Sequence, residues 1–263
     1  MQHKFSPSLT VSALVSIGAH PDSGRARRAA TDARAVELAL NLENSDLEVV
    51  HAGDPLNPAL REYSGMGLSQ LRVIAQEGSA DAIDTLTSYF TDNMPDIILT
   101  GSRAESGESS GLLPFFLARR LACPLVTGIA DILNIDDNHA DVLQALPRGQ
   151  RRALRVPLPF VATVDHAAQA PRQSAFGVAR RTQIDTTKTE STTLDGERMS
   201  WEETPAKAKA KRLKVVKAKT AADRFKAATA KTAASGGKVM KEQPVSEMAQ
   251  AVFDLLLEEG VIR

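Results

Sequence analysis

Residues 96–101, Asp96-Ile-Ile-Leu-Thr-Gly101, decide the fold. The run is short, apolar or β-branched without alternation, and stops at a glycine. A strand with no polar face is covered on both sides, which is the condition of a strand inside a parallel sheet. Toward the N-terminus, Leu9-Thr-Val-Ser-Ala-Leu-Val-Ser-Ile17 stops before Gly18 and Pro21 and is predicted as a strand. A helix is expected over 33–42, capped by Thr31 or Asp32. Leu47-Glu-Val-Val-His51 reads as a strand ending at Ala52-Gly53. Residues 67–76 and 79–90 are predicted helical, the second from the spacing of Ala82, Leu86 and Phe90. Beyond Gly101, a polar loop leads into a helix over 112–121 that ends in Arg119-Arg120, where cations complement the helix dipole. This alternation predicts an α/β fold, a mainly parallel Rossmann-like sheet with helices on both faces. After Pro124 the pattern changes. Segments 125–135 and 140–146 flank a hairpin turn at Asp136-Asp-Asn-His139, and short strands are expected at 151–156 and 160–164. The second half of the body therefore reads as a sheet-rich hairpin region.

Composition bounds the function. The chain has 263 residues, 43% hydrophobic and 24% charged, with 32 basic and 32 acidic side chains. No apolar run approaches a membrane span, and Met-Gln-His-Lys-Phe opens into Ser and Pro, so neither a span nor a secretory signal is expected. That reading places the protein in the cytoplasm. One cysteine, Cys123, excludes an internal disulfide framework and a multi-cysteine metal site. The zero net charge is not uniform. Residues 1–204 carry 19 basic and 26 acidic side chains, residues 205–241 carry 12 and one, and residues 242–263 carry one and five. Ten of the twelve bases at 205–241 are lysines, against only Lys4 and Lys188 earlier. Three parts are expected: an α/β nucleotide-binding-type domain over 1–184, an extended arm over 185–241, Lys/Ala-rich from 205, and a C-terminal helix within 242–263.

In an open parallel sheet, ligands bind beyond the carboxyl ends of the strands. The loop Gly101-Ser-Arg-Ala-Glu-Ser-Gly-Glu-Ser-Ser-Gly111 lies there and runs into a helix, so Ser109, Ser110 and free backbone N–H groups are candidates for holding a phosphate. The loops at Gly18 and Gly53 would line the same edge. The spacing is neither a dinucleotide fingerprint nor a Lys-Ser/Thr phosphate loop, and an ordinary loop with a serine cap fits equally well. His20, His51, His139 and His166 show no metal-ligand spacing, and no serine sits in a Gly-x-Ser-x-Gly elbow. No catalytic residue and no metal site is expected.

Several ordered stretches resemble the beta (small) subunit of electron-transfer flavoproteins. They are Val50-His-Ala-Gly53; Asp96-Ile-Ile-Leu-Thr-Gly-Ser-Arg-Ala104 with its polar loop; Arg155-Val-Pro-Leu-Pro-Phe-Val-Ala-Thr-Val-Asp165 followed by Ala170-Pro-Arg-Gln-Ser-Ala-Phe176; and Val252-Phe-Asp-Leu-Leu-Leu-Glu-Glu-Gly-Val-Ile-Arg263. The resemblance implies an electron carrier that performs no bond-making catalysis of its own. It implies a heterodimer with an alpha subunit carrying the redox-active FAD, a donor dehydrogenase and a quinone-reductase-type acceptor. It also implies a structural AMP, or a second FAD in bifurcating members. By position, Leu14 and Val15 fall beside the adenine, Ala52 on the second-strand loop, Gly101 and Ala104 on the adenosine side, and Ser109, Ser110 and Gly111 at the phosphate. Leu14 is bulkier than the family's usual alanine. Glu108 stands where the family has asparagine, with Arg103 near enough in sequence to offset its charge. The family's docking loop for partner dehydrogenases corresponds to Phe176, flanked by Ala175 and Gly177, with Phe176 as the anchor. The C-terminal helix would dock on the alpha subunit. A nucleotide-binding regulatory α/β protein without flavin is the alternative.

The lysine-rich arm is the feature the resemblance explains least. Lys and Ala favour helix over 212–219, yet no apolar stripe and the pair Gly236-Gly237 point to an arm or linker. An acidic face of the alpha subunit or of a dehydrogenase is one expected contact, nucleic-acid phosphates a second, and a solvated linker a third.

Overall fold

The structure is a computed structural model that describes residues 9–78, 80–107, 109–188, 193–202, 204, 220–222, 225, 240–241 and 243–258. The chain divides into two compact units, residues 1–201 and 202–263. The expected helix over 212–219 and nearly all of the lysine-rich arm lie outside the described residues.

The first unit is built on a nine-stranded sheet. Its strands in chain order are β1 (Leu9–Leu14), β4 (Ser45–Gly53), β5 (Gln70–Ala75), β6 (Ile97–Gly101), β7 (Leu125–Ile135), β8 (His139–Ala145), β9 (Arg151–Pro157), β10 (Phe160–Val164) and β11 (Gln183–Lys188). A separate two-stranded hairpin joins β2 (Ile17–Ala19) to β3 (Ala26–Arg28). The spatial order is β11-β5-β4-β1-β6-β10-β7-β8-β9. Pairings from β11 through β7 are parallel, and β8 and β9 are added antiparallel. The α/β fold with a mainly parallel sheet is therefore as expected.

Strand β6 lies in the middle, and all five of its residues are buried. Ile97 and Leu99 face the layer of α1 (Ala30–Leu40), together with Leu38 and Phe160. Ile98 faces the opposite layer, against Leu86 and Phe90 of α3 (Ala82–Asp92) and Leu117 of α4 (Leu113–Arg120). Two-sided burial is the reason the run shows no alternation. The expected hairpin turn forms as well: the Asp136 carboxylate accepts the N–H groups of Asn138 and His139, at 3.0 and 2.7 Å.

Several expectations need correction. Residues 67–76 do not form a helix; 70–75 are strand β5, paired with β4 on one side and β11 on the other. Leu71 and Val73 enter one core layer and Ile74 the other. The β-branched pair and period-two spacing were the signal, but only pairing to two distant strands resolves it. The expected first strand splits, because the Ser16 N–H leaves the sheet to donate to the Asp32 carboxylate at 2.7 Å. Segment 160–164 belongs to the parallel sheet, inserted as β10 between β6 and β7, and not to the hairpin region. Strand β11 carries the sheet past residue 184 to Lys188. The cap of α1 is Ala29, with no side-chain bond of its own, rather than Thr31 or Asp32. Its first N–H groups are answered from elsewhere in the chain. Short helices α2 (Leu60–Ser64), α5 (Phe176–Arg181) and α6 (Gly196–Met199) were not foreseen, and α7 (Val245–Glu258) forms within 242–263 in the second unit.

Gly101 sits where α1 approaches the end of β6. A Cβ there would overlap the Asp32 carboxylate and lie 2.6 Å from Thr31 Oγ1. Gly101→Ala should therefore cost about 1–3 kcal/mol of stability, the usual range for overpacking. The check is the urea midpoint at constant m-value.

Candidate functional site

The cleft lies at the carboxyl edge of the sheet, beyond β1, β4 and β6, and is about 330 Å³ in volume. That is the lower end of the range for small-molecule sites. All eight residues expected at the nucleotide, Leu14, Val15, Ala52, Gly101, Ala104, Ser109, Ser110 and Gly111, line it. The floor is apolar, from the buried Leu14, Val15 and Val50, with Ile83 and Leu86 of α3. Such a floor suits a heterocyclic base. The first turns of α3 and α4 both open onto the cleft.

The two serines are not equivalent. Ser109 has a left-handed backbone with φ 55°, and its hydroxyl donates to the Ala104 carbonyl. Its proton is thus committed within the loop. Ser110 Oγ accepts the Leu112 N–H at 3.3 Å, which leaves its own proton for an acceptor in the cleft. Gly111 has φ 75°, and a Cβ there would lie 3.0 Å from the Ser102 carbonyl oxygen. The tight return of the loop onto α4 depends on that glycine. Arg103 is exposed and lines the cleft; Glu108 lies outside the described residues.

Sequence reasoning missed Ser16, Asp32, His51, Asp81, Asp195 and Arg198, which also line the cleft. Asp32 is buried in the first turn of α1 and accepts the Ser16 N–H at 2.7 Å and the Ser16 hydroxyl at 2.6 Å. Burial raises its pKa to about 6, against the opposing effect of the Ser16 hydrogen bonds. His51 is buried with Nδ1 2.8 Å from the Val15 carbonyl. A carbonyl only accepts, so Nδ1 carries the proton. Burial lowers the His51 pKa, although the Val15 carbonyl favours the charged ring. A Cβ on Gly53 would come within 2.6 Å of His51 Nε2, so the glycine ending β4 makes room for the ring. Asp195 and Arg198 arrive from a distant segment with no local signal. Among the described residues, no group of three or more His, Cys, Asp or Glu side chains is arranged to hold a metal.

The second expected site stands apart from the cleft-lining residues. Phe176 is 77% exposed, and Gly177 is exposed beside it. Phe176 opens α5 instead of sitting on a loop, and the Arg180 guanidinium carbon lies 5.9 Å from its ring centroid, a cation–π distance. The pedestal is well tied. The Ala175 N–H donates to the Gly65 carbonyl at 2.9 Å, and Arg61 donates to the carbonyls of Ala179 and Thr182. Arg172 grips Glu37 of α1 through Nε at 2.8 Å and Nη2 at 3.0 Å.

The family model described as electron transfer flavoprotein domain matches residues 22–222. The electron transfer flavoprotein subunit beta of Chromohalobacter salexigens is 47% identical over 262 residues, covering 98% of this chain and 98% of that protein.

Asp32 makes a prediction about pH. Its folded pKa lies above its ordinary value of 3.8, so the folded chain holds the proton more tightly. The stability it contributes is fully present below pH 3.8 and is lost as pH rises through about 6. Asp32→Asn should remove this part of the pH dependence, of order 3 kcal/mol for a shift of about two units. The check is the difference in unfolding free energy between wild type and variant across that window.

Proposed function

The chain belongs to the electron-transfer flavoprotein family, as a beta subunit, and from that premise we propose that it forms a heterodimer with an alpha subunit that holds most of the FAD. Electrons enter from a donor dehydrogenase and leave to a quinone-reductase-type acceptor. FAD supplies the redox chemistry, and this chain makes and breaks no bonds of its own. The observation that carries the reading is the near full-length match to a beta subunit. It is supported by the cleft lined by all eight residues expected at a nucleotide.

The cleft, Phe176 and the C-terminal helix each have a role in this reading. The cleft takes AMP as a structural nucleotide, its base against Leu14, Val15 and Val50, its phosphate near the Ser110 hydroxyl and the start of α4. Phe176 anchors the donor dehydrogenase, since an exposed aromatic on a fixed pedestal binds with little loss of side-chain freedom. Helix α7 leaves Val252, Phe253, Leu255 and Leu257 exposed and docks these on the alpha subunit. The heterodimer works in the cytoplasm.

Co-expression with the alpha subunit should give a yellow heterodimer with one FAD per pair, and mass spectrometry of released small molecules should find AMP. A colourless, stable homodimer rejects the reading; two FAD per pair places the protein in the bifurcating type. Phe176→Ala should slow electron transfer from the donor about tenfold or more, the scale of an interface anchor. FAD content should stay intact, and its loss would make Phe176 structural instead.

A further inference from the structure

Among the described residues, few side chains of the cleft are cationic. The Ser109 hydroxyl is committed to the Ala104 carbonyl, and three carboxylates, Asp32, Asp81 and Asp195, line the same space. Two of them are occupied as caps: Asp81 accepts the Ile83 N–H at 2.8 Å, and Asp195 accepts the N–H groups of Glu197 and Arg198 at 3.1 Å. A phosphate dianion placed there needs compensating positive charge. Among the described residues, Arg103 from the loop after β6 and Arg198 are the two arginines that line the cleft.

Arg198 reaches the cleft through an arrangement that the sequence does not announce. After β11 the chain returns across the start of α3. Leu194 makes an antiparallel bridge with Ala80, and the Asp81 N–H donates to the Thr193 carbonyl at 2.9 Å. Arg198 Nη1 donates to the Gly78 carbonyl at 2.6 Å. Two ties, the bridge with its hydrogen bond and the Arg198 bond, therefore hold residues 193–198 against residues 78–81. Guanidinium carries five N–H donors, and among the described residues Arg198 commits one and pairs with no carboxylate. The remaining donors form a planar fork suited to phosphate oxygens.

We propose that Arg198 binds the phosphate of a nucleoside monophosphate held in the cleft, with residues 193–198 as one wall of the site. This rests on the nucleotide reading of the cleft. It assigns a ligand contact to a segment downstream of every residue that the family resemblance placed there.

The test uses the full-length chain as its heterodimer, stripped of bound nucleotide, with AMP and adenosine titrated calorimetrically. Arg198→Ala should weaken AMP about tenfold, as expected for lost charge-assisted hydrogen bonds. Adenosine should change by less than about twofold, because the nucleoside lacks the group that Arg198 contacts. Arg198→Lys should fall between wild type and Arg198→Ala, keeping the charge but not the fork. Unchanged AMP affinity in Arg198→Ala overturns the proposal. Equal loss for AMP and adenosine also overturns it, and makes the segment a structural wall only. A wild-type protein that binds neither molecule rejects the nucleotide reading itself, and this proposal with it. FAD content and heterodimer mass, unchanged in each variant, exclude misfolding as the cause.

Discussion

The buried carboxylate of Asp32 is the constraint on which the carboxyl edge of the sheet depends. Taking a carboxylate out of water costs several kcal/mol unless hydrogen bonds compensate. Here Ser16 supplies two, from its N–H and its hydroxyl. To reach them the chain leaves β1 early, and Gly101 must lack a side chain so that α1 can approach the end of β6. The Ser16 carbonyl in turn accepts the Tyr63 hydroxyl at 2.8 Å, and Tyr63 accepts the Ala29 N–H at 2.7 Å. Burial first, and then the nearby Asp32 charge, hold the Tyr63 phenol protonated. Glu105 accepts the Ala30 N–H at 2.7 Å and pairs with Arg27 at 3.1 Å, and Glu62 accepts the Arg28 N–H at 3.1 Å. Two side chains from outside α1, Tyr63 and Glu105, therefore answer the N–H groups of its cap and first residue, where no local side chain does, and Glu62 answers the residue before them.

Helix α1 also serves the second surface. Five residues after Asp32, the Glu37 side chain is only 4% exposed and receives Arg172 in a two-point grip, with the Arg172 backbone N–H as a third bond at 2.9 Å. Burial pushes the Glu37 pKa up, but the Arg172 hydrogen bonds outweigh it and hold the carboxyl ionised below its usual range. Bidentate pairing of this kind fixes direction as well as distance. Arg172 thereby sets the path of the chain into α5 and the place of Phe176. One helix, buried against β1 and β6, references both the cleft and the exposed aromatic to the same sheet.

Much of the fold was legible because burial leaves a pattern in the sequence. Strand β6 announces itself by two-sided apolarity, and α3 by Ala82, Leu86 and Phe90. Strand β5 was misread because Leu71, Val73 and Ile74 fit either a short helix or a strand, and the partners that decide it lie in β4 and β11. The cleft residues on strand ends and on the loop after β6 could be placed because topology fixes where those ends fall. Asp32 could not: as a sequence feature it is an ordinary helix cap, and only the early exit of β1 makes it a buried acceptor. His51 looked like a scattered histidine until Gly53 and the Val15 carbonyl surrounded it.

The sequence by itself determined the α/β class, the succession of most elements, the family and the edge of the sheet where a ligand would bind. Each of these follows from local pattern or ordered motifs, which are properties of neighbours along the chain. Tertiary structure alone decided that β10 inserts beside β6, that Ser109 and Ser110 differ in the proton each has to offer, that Phe176 stands exposed on a fixed helix, and that Arg198 meets the cleft. Those outcomes depend on contacts between residues tens of positions apart. Backbone pairing and the satisfaction of buried polar groups select such contacts, and neither leaves a periodic trace in the sequence.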